Sequence, residues 1–200
     1  MTDSRRPRRP SFLQPAALDA LGEPSDPIAA LHAAHETAAV LVGTGRASDD
    51  PDTVARLVAL TDDIGLATLA DLWSARPART LPGALWRLYL LREWVRTDAD
   101  GAAREYAAGI RFTEPNHAVA GVEPPGPQEV RRVADEILRG VFSGDFGVAL
   151  ERAAAFCQVV ASGRADVTEG ARAVVQAGRL QELAADLSAS ARLWRSGELQ

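Results

Sequence analysis

The chain has 200 residues, among them 38 alanines, 22 leucines and 22 arginines, with a single cysteine, a single asparagine and no lysine. A content of 46% hydrophobic and 24% charged residues is that of a folded globular chain, and the length fits one domain. Without lysine the chain cannot form a Schiff base with pyridoxal phosphate, place the phosphate-binding lysine of a Walker A loop, or supply the strand lysine of a protein kinase.

The net charge of −5 is unevenly spread: Arg5, Arg6, Arg8 and Arg9 against Asp3 give the first ten residues +3, leaving −8 on residues 11–200. Prolines keep such a leader extended, and residues 1–14 are expected to form a disordered basic tail. Four arginines give only weak, salt-sensitive attraction to phosphates and the acidic body opposes it, so nucleic acid is not an expected partner. No apolar stretch of secretory type follows Met1, and no run approaches the roughly 20 apolar residues of a membrane span. A cytoplasmic protein without membrane contact is the expectation.

In chain order, Pro15–Leu21 predicts a short helix. Asp26-Pro27 is a cap followed by proline at the first helical position, and starts a helix over Ile28–Val42 that Gly43 and Gly45 should stop. Asp50-Pro51 repeats the start signal, with Val54, Leu57, Val58 and Leu60 as the apolar stripe before Gly65. A helix over Ala67–Ala75 ends ahead of Pro77. Thr80 opens the most apolar segment, whose side chains cover most of the helical circumference, which places residues 82–97 at the centre of the fold. Asp100–Ile110 is a shorter helix. Residues 113–127 hold four prolines and two glycines, and predict a functional loop or a subdomain join. Helical spacing returns from Pro127 to Ser143, and Asp145 caps a helix reaching Ser162. Thr168–Trp194 reads as one helix weakened or broken at Gly178. No run of alternating β-branched residues suggests a strand. The predicted fold is all-α, an orthogonal or bundle-like array of about eight helices forming a single helical domain over residues 15–200.

Three constellations could carry chemistry. His32, His35 and Glu36 share a helix face, and with His117 the two histidines could hold a metal ion, although the order differs from the His-Glu-x-x-His of zinc proteases. The plainer reading puts both histidines at the polar edge of an alanine-rich helix, with His32 bonded to Glu36. In the central helix, Arg92 and Arg96 lie one turn apart on the stripe of Leu85 and Tyr89; they either form an anion pocket, with Tyr89 and His117 as further contacts, or pair with acids such as Glu93, Asp98 or Glu105. In the proline-rich loop, His117 stands near Glu114, Asn116 and Glu123. Asp145-Phe146-Gly147 spells the magnesium motif of kinases, but no kinase nucleotide loop or catalytic loop accompanies it. Cys157, among Ala155, Phe156, Val159 and Val160, reads as core.

The stretch Leu81-Pro-Gly-Ala-Leu-Trp-Arg-Leu-Tyr89, together with arginine in place of lysine, resembles uncharacterised helical proteins of high-GC actinobacteria. That resemblance implies a helical fold and no activity. The functional expectation is a helical protein-interaction or regulatory module without a cofactor, acting on a protein partner or as a homo-oligomer. The alternative is a protein or enzyme that binds a small anionic ligand between the 82–97 helix and the 113–127 loop.

Overall fold

The computed structural model describes residues 26–112, 126–168 and 170–200, and every regular element in them is helical. Nine α-helices occur among the described residues: α1 Pro27–Ala47, α2 Pro51–Val58, α3 Leu60–Ile64, α4 Leu66–Trp73, α5 Leu81–Thr97, α6 Ala99–Gly109, α7 Pro127–Ser143, α8 Phe146–Val167 and α9 Ala171–Ser196. A 3-10 turn, Ile110–Phe112, follows α6. The expected tail, the short helix over Pro15–Leu21 and most of the proline-rich loop lie outside the described residues.

At five of the nine helix starts among the described residues a short polar residue accepts hydrogen bonds from otherwise unpaired first-turn N–H groups. The Asp26 carboxylate accepts from Ile28 N–H at 2.9 Å, and Asp50 from Asp52 and Thr53 N–H at 3.0 and 3.2 Å. Thr80 accepts from Gly83 N–H at 3.2 Å and Asp145 from Val148 N–H at 3.1 Å. α6 begins earlier than its sequence suggests because Asp98 serves as its cap, accepting from Gly101 N–H at 3.0 Å.

Glycine is where the sequence reading errs. α1 does not stop at Val42 but continues through Gly43 and Gly45 to Ala47. Gly45 is buried, and a Cβ placed on it would lie 2.6 Å from the Cβ of Phe142 in α7. Its function is close approach of two helices. The stripe from Val54 to Leu60 is divided at Ala59 between α2 and α3, and Gly65, with φ +80°, separates α3 from α4. α8 runs five residues past Ser162, to Val167. α9 starts at Ala171 and passes Gly178 without a break.

A Cβ on Gly178 would meet nothing within 4 Å. Glycine in a helix interior costs about 1 kcal/mol relative to alanine, so Gly178→Ala is expected to stabilise the protein by about 0.5–1 kcal/mol in urea unfolding. A loss of stability would show that the added methyl group is not accommodated in open space.

α5 occupies the centre, as its apolar circumference requires: Leu85, Leu88, Tyr89, Leu91 and Val95 are all buried. The Tyr89 hydroxyl donates to the Leu57 carbonyl at 2.6 Å, and the Trp73 indole N–H donates to the Thr37 hydroxyl at 3.1 Å, so both polar tips are satisfied inside the core. The most extensive helix pairing is between α8 and α9. Both helices carry buried alanines, among them Ala153, Ala161, Ala177 and Ala184, small side chains that let long helices lie close together. Buried side chains from before and after residues 113–125 belong to one hydrophobic cluster. No helix among the described residues is long and apolar enough to cross a membrane.

Candidate functional site

Arg92 reaches from the middle of α5 with only 5% of its surface exposed, so its charge needs partners within the protein. It has them. The Arg92 Nε donates to Asp135 of α7 at 2.6 Å, one terminal nitrogen donates to the Thr61 hydroxyl at 3.1 Å, and the other to Asp62 at 3.4 Å. Arg96, one turn later, donates to the other oxygen of Asp62. Burial opposes ionisation of Asp62, but the Arg96 hydrogen bond and the two arginine charges outweigh it and hold the carboxyl below the usual range. The same hydrogen bond pushes Arg96 up.

The structure therefore brings Arg92 and Arg96 together, as their spacing implies, but around acids other than the sequence neighbours. The partners are Asp62 and Asp135, from α3 and α7; Glu105 is taken by Arg164. The result is a clasp tying α3, α5 and α7, in which an incoming anion would have to displace a protein carboxylate. Tyr89, offered as a further contact for an anion, is fully buried, and burial pushes its phenol up. Its hydroxyl is a bolt between α5 and α2.

His32 is exposed and His35 half-buried on α1, with no hydrogen bond between His32 and Glu36. Among the described residues no three His, Cys, Asp or Glu side chains come together to hold a metal ion. His117 lies outside the described residues. Cys157 sits fully buried in α8, and burial pushes its thiol up to about 12. Ellman's reagent at pH 8 should leave it untouched in the folded protein and titrate one thiol after unfolding; rapid reaction in the native state would contradict the burial.

The feature that sequence reasoning missed lies on the opposite flank of α5. α5 and α9 make few direct contacts, and between them runs an open groove of about 320 Å³. Leu90, Leu91 and Trp94 of α5 form one wall, and Leu180 and Leu183 of α9 the other. Leu90 is 42% exposed on a helix whose other leucines are buried. Arg164, near the end of α8, also lines the groove. Its guanidinium grips Glu105 of α6 through two hydrogen bonds of 2.8 and 2.7 Å and stacks over the Trp94 ring at 5.2 Å. Gln176 and Arg179 complete the lining from α9. The sequence did carry a signal, for Arg172, Gln176, Arg179 and Leu183 recur at helical spacing on one face of α9. Reading the helix as weakened or broken at Gly178 divided that stripe.

Fold and site together define an all-α array with an arginine–carboxylate clasp on one side of its central helix and a solvent-open apolar groove on the other. Compared with protein-family models, curated proteins and solved structures, the chain matches none.

Proposed function

We propose that the protein is a helical protein-interaction module, and that the groove between α5 and α9 docks an amphipathic helix of a partner protein. The observation that carries this reading is the exposure of Leu90 beside Trp94, Leu180 and Leu183 in an open, apolar-walled trough flanked by two helices. A sheltered pocket that buries most of a small ligand's surface is the usual mark of small-molecule binding; an open trough of this kind suits a helix that lays apolar side chains at i, i+3, i+4 and i+7 along it. The clasp on the opposite side has a structural task, holding α5 rigid so that Leu90 and Trp94 present a fixed surface.

The test uses a synthetic 18-residue helical peptide with a leucine seam at that spacing and glutamine flanks, labelled for fluorescence anisotropy. Saturable binding to the full chain is expected, with at least a tenfold loss in Leu90→Glu once circular dichroism and the thermal midpoint show that this variant folds as wild type does. Absence of saturable binding, or equal binding by Leu90→Glu, would overturn the reading.

A further inference from the structure

We infer that the helix received by this groove is acidic, carrying carboxylates alongside its apolar seam; this rests on the docking reading above and specifies the partner's chemistry. The groove lining contains no acid. Of its two guanidinium groups, Arg164 is neutralised by Glu105, whereas Arg179 has no ion pair or hydrogen bond among the described residues. Arg172 lies seven residues earlier on the same face of α9, exposed and equally without a partner among the described residues. At 1.5 Å rise per residue the two positions stand about 10 Å apart along the helix.

An apolar or basic helix laid over this stripe would strip water from Arg179 and offer its charge nothing in return, which is costly. A carboxylate one or two turns along the incoming helix offsets that cost, and arginine meets it through two parallel hydrogen bonds. The rest of the molecule makes this local preference unexpected. Residues 11–200 carry a net charge of −8, so the field of the whole body favours a basic partner. The groove and the body therefore predict opposite orders of affinity.

Three versions of the leucine-seam peptide, flanked by glutamate, glutamine or lysine, decide between them by anisotropy on the full chain at low and at physiological salt. The glutamate peptide is expected to bind about tenfold more tightly than the lysine peptide, and Arg179→Glu to reverse that order. Arg179 is exposed, so its variants are expected to fold, with circular dichroism and thermal midpoint unchanged from wild type as the check. If the glutamine peptide binds but the glutamate and lysine peptides are equal, or lysine is preferred, the acidic-partner inference is overturned while the docking reading stands. If no peptide binds, the docking reading falls and takes this inference with it. A concentration-dependent dimer in sedimentation that Leu90→Glu dissolves would assign the groove to a second copy of the chain and likewise overturn it.

Discussion

Replacing Arg92 with methionine is expected to lower the unfolding free energy by about 2–3 kcal/mol, although methionine keeps most of the side chain's apolar length. The loss comes from the clasp. Arg92 is almost wholly buried and its three polar atoms contact Asp135, Thr61 and Asp62. Removing the cation leaves Asp135 without its partner and Asp62 with Arg96 alone. Breaking a fully buried ion pair costs about 3–5 kcal/mol, and the loss here falls at or just below the low end because both aspartate side chains keep about 40% of their surface in water. The clasp also sets an acid limit. Asp62 has a lower pKa folded than unfolded, so it contributes stability that is fully present above its unfolded value near 3.8 and is lost as pH falls through the folded value. Urea unfolding of wild type and Arg92→Met at pH 7 and pH 3 checks both statements: the difference between them should shrink at pH 3. A variant within about 0.5 kcal/mol of wild type at pH 7 would show that water replaces the clasp without loss.

Gly163→Ala is the second substitution with a large expected effect, about 3 kcal/mol or more of destabilisation from a single methyl group. α6 and α8 touch backbone to backbone at this point. A Cβ on Gly163 would fall onto the carbonyl oxygen of Glu105, and a Cβ on Gly109 onto that of Val159. Neither obstacle is a side chain that can rotate away, so the helices must separate. Separation would also disturb Glu105, whose carboxylate holds Arg164 against Trp94 at the groove wall. Gly163→Ala should therefore weaken peptide binding as well as stability, whereas Gly178→Ala, with open space around it, should leave binding unchanged. Equal stabilities for the two variants would contradict the close approach.

These three glycines show where sequence is informative and where it is not. A helix start is a local event, and Asp26, Asp50, Thr80 and Asp145 cap the helices that their flanking residues foretell. The effect of a glycine depends on what packs against it. Gly45 faces Phe142, Gly163 faces Glu105 and Gly178 faces nothing, and no feature near them in the chain distinguishes the three cases.

The candidate sites divide the same way. That Arg92 and Arg96 act together follows from one turn of helix, but the acids that Arg92 binds lie 30 and 43 residues away from it, at Asp62 and Asp135, while the sequence offered only closer neighbours. Cys157 announced its burial through its own apolar neighbours. The groove needed two helices distant in the chain to be placed side by side, and its cationic stripe was hidden by a glycine read as weakening or breaking the helix.

If the α5–α9 trough is the docking surface we propose, its own side chains must touch the bound peptide. The most direct measurement is an intermolecular nuclear Overhauser experiment between the methyl-labelled protein and the glutamate-flanked peptide. Contacts from the methyl groups of Leu90, Leu180 and Leu183 to the leucine seam are predicted, together with a shift of the Trp94 indole signal. Contacts confined to the exposed apolar residues outside the groove, Ile28 on α1 or Val174 and Val175 on α9, would contradict it.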